Sequence, residues 1–288
     1  MLLFAVAAAL SGADTFTHRT KDVVFHGFCK QQLNNGKNVI IPEEQGPVEI
    51  NSADYDIEYN ALGRNNMVSV LTIDDEIITE LETKAFEEAI VEEADKGPLF
   101  ILIEIDTPGG QVGLCKRLCA AITELRYCPT IAYIKGGKNG GAYSAGAAVS
   151  LACDKIYMAP ATSIGAAASF AVTDEGYALD LKEIYGDTIG EKFSSAWRSY
   201  FASLAQQNNR SGAIARAMVD KDIDVIEIQR NGQSLYVESK DKRPSDSLVR
   251  TVCKPGELLT LSAPEAVTCQ MAVGIAESRQ VLLAEEKA

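Results

Sequence analysis

One serine stands among glycines and small residues in the segment GGAYSAG, at positions 140–146, where an apolar stretch begins. A serine at a helix N-terminus lies at the positive end of the helix dipole, which favours an alkoxide-like oxygen. The amide of the next residue, Ala145, is then placed to donate to a developing oxyanion. Ser144 is therefore a candidate nucleophile for acyl transfer. The alternative is that its side chain only caps the helix.

A second candidate element is the Pro-Gly-Gly corner at positions 108–110, which follows the apolar run FILIEI. The backbone N–H groups of Gly109 and Gly110 are open to a ligand, because no side chain stands in front of them. Such amides stabilise an oxyanion. A plain strand-to-helix turn is the other interpretation. Phosphate binding is disfavoured, since neither GxxxxGK[ST] nor GxGxxG occurs at this corner.

A serine nucleophile needs a base, and histidine is an unpromising source. The two histidines, His18 and His26, both lie in the N-terminal fifth of the chain. Their position argues against a Ser-His triad and against a zinc site built on histidine. A lysine made neutral by burial is the leading option, because an apolar site lowers an amine pKa by several units. The candidates downstream of Ser144 are Lys155, Lys182 and Lys192.

Lys192 is the favoured base because it stands at the margin of an apolar stripe with helical spacing. Lys155 instead opens a predicted strand, and Lys182 lies in a predicted polar loop. The alternative is that Lys192 is a surface lysine whose stem lies along apolar neighbours. The stripe predicts a helix over about 192–207 and consists of Phe193, Ala196, Trp197, Tyr200, Phe201 and Leu204.

The elements around these residues alternate between strand and helix patterns, which predicts an α/β domain with a parallel sheet. Near-continuous apolar runs are typical of strands buried on both faces. A hairpin is predicted around Asn231-Gly232. Residues 14–66 are turn-rich and predict a small β-rich extension. The predicted strands are 67–73, 99–105, 130–134 and 155–158, and the predicted helices begin near 79, 112, 144, 192, 214, 263 and 277.

Composition excludes several classes of function. The net charge of −13 argues against nucleic-acid binding, which needs a basic face. The seven cysteines include no CxxC pair, so neither a zinc ribbon nor a disulfide framework is predicted, and most should be small buried residues. We therefore expect no metal and no cofactor.

The N-terminus predicts export. An apolar run, Leu2–Leu10, precedes the small residues Ser11, Gly12 and Ala13, which is typical of a cleaved signal peptide over residues 1–13. This run is too short to span a bilayer, and no other stretch approaches the ~18 apolar residues that a span requires. We expect a mature chain without a transmembrane helix, exported to a periplasmic or membrane-peripheral position.

Three motifs, DTPGG (106–110), GAYSAG (141–146) and DKIYMAPATSIGA (154–166), resemble the ClpP-class serine peptidases. Within that class the chain is similar to signal peptide peptidase A and, more closely, to the NfeD-type membrane-associated serine proteases. The resemblance covers about 67–280 and places a peptidase domain over 67–288. It implies a ClpP/crotonase-like spiral of ββα units and a homo-oligomer.

The same resemblance implies roles for individual residues. The nucleophile falls on Ser144 and the general base on Lys192, which together form a Ser-Lys dyad. The oxyanion hole falls on the amides of Gly109, Gly110 and Ala145. The implied activity is endopeptidase cleavage, through an acyl-enzyme, of apolar peptide segments from membrane proteins.

Two other classes of function stay open at this stage. A crotonase-like enzyme would use the same oxyanion hole on an acyl-CoA thioester, and Ser144 would be dispensable. A catalytically inactive oligomeric scaffold would not need Ser144 and Lys192 to meet.

Overall fold

The computed structural model describes residues 14–32, 37–42, 46–58, 67–74, 78–125, 128–172, 178–286 and 288. The predicted signal peptide lies outside these residues. Within them, no helix has the length and apolar character needed to cross a membrane.

The N-terminal part of the described chain is a five-stranded antiparallel sheet. Its strands are β1 (Asp14–His18), β2 (Val24–Gln32), β3 (Lys37–Pro42), β4 (Val48–Asn51) and β5 (Tyr55–Glu58), in the order β4-β3-β2-β1-β5. Phe16, Ile40 and Ile50 form its small core, and the Phe16 ring stacks on Phe25 with centroids 5.0 Å apart. His18 and His26 belong to this sheet and hydrogen-bond to nearby residues of it.

From residue 67 onward, strands and helices alternate. In chain order the elements are β6 (Ser69–Ile73), α1 (Glu80–Asp95), β7 (Ile101–Ile105), α2 (Val112–Glu124), β8 (Thr130–Ile134), β9 (Gly141–Tyr143), α3 (Ala145–Ala152), β10 (Lys155–Met158), β11 (Ser163–Gly165), β12 (Phe170–Val172), β13 (Ala178–Asp180), α4 (Leu181–Gln207), α5 (Gly212–Ala217), β14 (Val225–Arg230), β15 (Gln233–Val237), β16 (Ser247–Cys253), β17 (Thr260–Ser262), α6 (Ala263–Thr268), β18 (Gly274–Ile275) and α7 (Arg279–Glu285).

The central sheet is parallel throughout, in the order β18-β10-β8-β7-β6. Every residue of β7 and β8 is buried. Successive side chains point to opposite faces, so Ile101, Ile103 and Ile105 enter the main core, while Leu102 packs with Leu282 of α7 on the other face. Cover on both faces explains why these strands are continuous apolar runs. The predicted α/β domain with a parallel sheet is confirmed.

A three-stranded sheet in the order β17-β11-β9 lies next to the candidate serine, which directly follows β9. Strands β9 and β11 are parallel and pair Gly141 with Ser163. A Cβ on Gly141 would lie 2.2 Å from the Ser163 carbonyl oxygen, so only glycine permits this approach. These short strands are not predicted from sequence, because three residues are too few to show a period.

Helix α4 differs from its prediction. It begins at Leu181, so Lys182 lies in a helix rather than in a polar loop. The backbone of Gly186 departs from helical geometry, with φ 75° and ψ 164°, and kinks the element. A glycine inside a polar segment is typical of a loop, so the sequence does not predict the first turn of α4.

Candidate active site

Ser144 joins the end of β9 to the start of α3 in a strained conformation. Its φ is 51° and its ψ is −114°, which is uncommon for a residue with a side chain. The Ser144 N–H donates to the carbonyl oxygen of Gly165 at 3.0 Å, and this bond helps to hold the turn. Strain of this kind is typical of functional sites, including serines at a sharp strand-to-helix turn.

The Ser144 side chain does not cap α3. No hydrogen bond joins its hydroxyl to the first backbone amides of the helix. In other helices of this chain such bonds are present, for example from the amide of Ile214 to Ser211 Oγ and from that of Val281 to Ser278 Oγ. The capping interpretation of Ser144 therefore has no support in the geometry.

Gly109 lies directly against Ser144. A Cβ on Gly109 would stand 2.7 Å from Ser144 Cβ, 3.0 Å from its Oγ and 3.4 Å from the Ala145 nitrogen. The φ of Gly109 is 132°, a conformation that side chains disfavour. The structure thus brings the Pro-Gly-Gly corner and the serine into one site.

The two glycine amides of this corner differ in availability. The Gly109 N–H donates to Thr107 Oγ1 at 3.2 Å, and Thr107 is fully buried. Within the described chain, we find no hydrogen-bond acceptor for the N–H of Gly110 or of Ala145. The corner therefore offers Gly110, rather than Gly109, as a free donor.

Asp106 organises the glycine loop before β9, and sequence reasoning did not single it out. This residue is 3% exposed, and its carboxylate accepts from the Gly141 N–H at 3.0 Å and from the Asn139 N–H at 3.1 Å. The Asn139 side-chain amide donates back to the Asp106 carbonyl oxygen at 2.9 Å. The sequence signal that could have identified Asp106 is an acidic residue directly after a buried strand, with a glycine-rich loop later in the chain to bind.

Within the described chain, no hydrogen bond joins Lys192 to Ser144. Lys192 is exposed on α4, and no hydrogen bond or ion pair joins it to any described residue. The other two candidate bases are held by carboxylates. Lys155 Nζ lies 2.7 Å from Glu286, and Lys182 Nζ lies 3.1 Å from Glu191. Because both of these amines are already held by carboxylates, Lys192 keeps the fewest competing contacts of the three.

The first turns of α4 expose apolar side chains around Lys192. Phe193, a member of the predicted apolar stripe, is 53% exposed, and its ring lies 5.9 Å from that of Tyr185. Ile184 and Ile189 are also exposed, and Phe170 of β12 is 57% exposed. We call these five residues the α4 apolar surface. The kink at Gly186 separates the first turn of α4, which carries Ile184 and Tyr185, from the rest of the helix.

Trp197 marks the point where α4 becomes buried. Its indole Nε1 donates to the Ala167 carbonyl oxygen at 3.0 Å, just beyond the Gly165 carbonyl that binds Ser144. The indole also packs edge-on against Phe201 with centroids 4.9 Å apart. This part of the predicted stripe is confirmed as core.

Cysteines near the serine are structural. Cys115 Sγ lies 3.7 Å from the Ala145 carbonyl oxygen, and burial raises the pKa of Cys119 well above its ordinary value. Burial also raises the pKa of the Cys153 thiol at the far end of α3. Protonated, enclosed thiols are not nucleophiles. The expectation that most cysteines are buried is confirmed for all six in the described chain whose burial is defined.

Known proteins resemble this chain in sequence. Residues 67–244 match the family described as NfeD1b, N-terminal domain. The membrane protein NfeD1b of Bacillus subtilis is 29% identical over 230 residues, which cover 79% of this chain and 43% of that protein. The membrane-bound protease PH1510 of Pyrococcus horikoshii is 32% identical over 125 residues, which cover 43% of this chain and 26% of that protein. The chain thus spans less than half the length of both relatives.

Solved structures show the same architecture. The 1510-N membrane-bound stomatin-specific protease, as a serine-to-alanine variant, aligns with a TM-score of 0.55 at 24% identity, covering 76% of this chain and 84% of that one. A lysine-to-alanine variant of that protease, in complex with a substrate peptide, aligns with the same score and covers 79% of its chain. The fold is therefore mixed α/β and ClpP-like, as the motifs implied. Of the two resemblances drawn from those motifs, the NfeD-type one is confirmed, and the chain belongs to the NfeD1b N-terminal domain family.

Proposed function

We propose that this chain is a serine endopeptidase in which Ser144 is the nucleophile and Lys192 the general base. The observation that carries the proposal is the geometry at Ser144. Its backbone is strained, its hydroxyl caps nothing, and Gly109 stands in contact with it. A strained serine beside unoccupied amides is the arrangement that acyl transfer needs.

The oxyanion hole consists of the Gly110 and Ala145 amides. Thr107 engages the Gly109 N–H, so the role of Gly109 is to let the corner approach Ser144 without a side chain in between. Ala145 is the first residue of α3, whose dipole adds to the stabilisation of negative charge. Removing one such donor costs about 2.7–4 kcal/mol of transition-state stabilisation in other hydrolases.

The reaction proceeds through an acyl-enzyme. Neutral Lys192 takes the Ser144 proton as the serine oxygen attacks the scissile carbonyl carbon. The lysine ammonium then returns a proton to the leaving amine, the C–N bond breaks, and the ester remains on Ser144. Water, deprotonated by Lys192, hydrolyses that ester and releases the serine.

This mechanism requires the first turns of α4 to close on Ser144. An amine acts as a base only when it is neutral, and apolar enclosure favours the neutral form. The α4 apolar surface includes Ile189 and Phe193, which neighbour Lys192 on the helix, and it supplies such an enclosure once it is covered. Substrate that lies between α4 and Ser144 would provide the cover and assemble the dyad at the same time.

The substrates are peptides with an apolar segment. The exposed aromatic and aliphatic side chains beside Lys192 fit such a segment, because burying them gains about 25 cal/mol for each Å² removed from water. A related protease is described as stomatin-specific, and a variant of it has been seen with a substrate peptide. The proposal also includes export by the signal peptide at residues 1–13, a periplasmic or membrane-peripheral position, and a homo-oligomer.

Cleavage of apolar peptides by matched variants tests the dyad. We expect Ser144→Ala and Lys192→Ala to lose cleavage and also labelling by a fluorophosphonate, which reacts with activated serines. Ser203→Ala and Lys254→Ala, a serine on α4 and an exposed lysine after β16, serve as controls and should retain both. Cleavage that survives in either dyad variant would remove Ser144 or Lys192 from the mechanism.

A further inference from the structure

The end of α4 reaches the far end of the helix that begins after Ser144. Asn209 has a φ of 55°, and the Arg210 amide donates back to the Ala205 carbonyl oxygen at 2.8 Å. This left-handed turn closes α4 in a common C-terminal motif. Asn208 and Arg210, on either side of the turn, direct their side chains to the C-terminus of α3.

Asn208 binds two carbonyl groups in the last turn of α3. Its Nδ2 donates to the Leu151 oxygen at 2.9 Å and to the Ala152 oxygen at 3.1 Å. The last carbonyls of a helix have no partner within the helix. All eight residues of α3 are buried, so side chains supply the partners that water would provide at an exposed helix end.

Arg210 continues the same contact with a buried guanidinium. Its Nη1 donates to the Leu151 oxygen at 3.1 Å and to the Cys153 oxygen at 2.9 Å, and its Nη2 to the Asp154 oxygen at 3.0 Å. Arg210 is only 7% exposed. Burial lowers the pKa of Arg210 to about 10, which still leaves it a cation at neutral pH. A cation at this end complements the negative end of the α3 dipole.

The opposite end of α3 has little room to move. Ser144 meets Gly109 at the limit of contact, and a Cβ on Gly146 would lie 2.7 Å from Thr107 Cγ2. A shift of α3 along its axis would either press Ser144 into Gly109 or draw the Ala145 amide away from Gly110. A displacement of about 1 Å at a reacting group can cost 100-fold in rate.

We propose that Asn208 and Arg210 form a positioning clamp that sets the place of Ser144 and Ala145 along the α3 axis. The clamp also ties α3 to the C-terminal end of α4, the helix that carries Lys192. This inference rests on the proposed peptidase function. The clamp residues touch neither substrate nor the reacting atoms and act through α3.

The clamp is tested in the full chain with Arg210→Met, Arg210→Lys and Asn208→Ala. Arg230→Met is the matched control, because Arg230 is a half-buried arginine that binds Asp246 in the sheet of β14, β15 and β16. Steady-state cleavage of an apolar peptide and the rate of fluorophosphonate labelling are measured at a temperature where every variant is folded. We expect Arg210→Met to lower kcat about 100-fold with KM within about threefold, and Arg210→Lys to restore part of it.

Hydrogen exchange of the α3 amides reports the clamp independently of catalysis. Exchange should rise in Arg210→Met and Asn208→Ala and stay unchanged in Arg230→Met. A folded Arg210→Met with wild-type kcat, or a loss confined to KM, would overturn the clamp while leaving the proposed function intact. A wild-type protein that neither cleaves nor labels would instead defeat the proposed function. If Arg210→Met does not fold, the milder Asn208→Ala takes its place. Wild-type kcat in that variant, or a loss confined to KM, would then overturn the clamp.

Discussion

The contact between Gly109 and Ser144 is the closest link between the two parts of the site. It leaves no space for a methyl group on Gly109. Thr107 Oγ1 stabilises the corner by accepting a hydrogen bond from the Gly109 N–H. On this side of the proposed site we therefore expect single backbone groups, rather than charged side chains, to carry the chemistry.

Gly109→Ala should abolish serine reactivity. The added methyl would overlap Ser144 Cβ, and the φ of 132° would strain any side chain. We expect fluorophosphonate labelling to fall by at least about 100-fold. Gly113→Ala is the control, because a Cβ there meets nothing within 4 Å and lies in helix α2, where alanine is favoured by about 1 kcal/mol. Normal labelling of Gly109→Ala would show that the corner does not bound the site.

At the scale of elements, α4 is two segments with different roles. The part from Trp197 onward is core and ends in the contact with α3. The first turn folds back so closely that a Cβ on Gly190 would lie 2.6 Å from the Lys182 backbone. The ion pair of Lys182 with Glu191 holds this arrangement, and both Lys182 and Arg198 lower the pKa of Glu191. Lys192 lies after the kink, between Glu191 and the buried Trp197, and its own side chain is exposed.

Gly186→Ala should lower activity through α4 rather than through general instability. A side chain at φ 75° and ψ 164° is strained and would favour a different path for the first turn. We expect kcat to fall about tenfold, the cost of about 1.4 kcal/mol in the transition state. Gly232→Ala carries a similar strain, with φ 80°, in the hairpin between β14 and β15. Its kcat should stay normal, and equal losses in both variants would contradict a specific role for the kink.

The sheet of β14, β15 and β16 should be sensitive to acid through Asp246. Arg230 and the Arg243 amide hold the pKa of Asp246 down at about 2. A depressed carboxylate pKa stabilises the fold above the unfolded value of about 3.9, and this contribution disappears as pH falls through about 2. Asp246→Asn should therefore lower Tm at pH 7 and converge with wild type near pH 2. A Tm difference that is independent of pH would contradict this ion pair.

On the scale of the whole molecule, the C-terminal helix closes the second face of the parallel sheet. Leu282 packs under that face with Leu102 and is fully buried. Two polar contacts hold α7 in place. Glu286 binds Lys155 and Tyr157, and Arg279 binds the buried Glu104 of β7 at 2.6 Å. Helix α7 thereby covers the face of the central sheet that lies opposite the main core.

Leu282→Ala should destabilise the whole domain. Deleting a fully buried leucine side chain leaves a cavity, and we expect a loss of about 3 kcal/mol in the free energy of unfolding. Val281→Ala, in the same helix but 39% exposed, should cost less than about 1 kcal/mol. Denaturant unfolding measures both values. Equal costs would show that α7 does not cover the sheet in solution.

Local patterns in the sequence determined which strand, turn and serine form the candidate site. The apolar run of β7 predicted a strand buried on both faces, because such a strand needs apolar side chains on each face. Ser144 and the Pro-Gly-Gly corner stood out because glycine and small residues mark close backbone approach. The assignment of Lys192 rested on its place at the margin of an apolar stripe and on the family resemblance, and it stays a prediction.

Tertiary structure alone decided which groups around the serine are available. Thr107 engages one glycine amide, Asp106 holds the loop before β9, and Arg210 reaches α3 from the end of a distant helix. Phe193 is exposed although its spacing matched the apolar stripe. Each of these facts depends on contacts between residues far apart in the chain. Periodicity and motif spacing report only local order. The candidate serine could therefore be predicted from the sequence, whereas the residues that contact it and its neighbours could not.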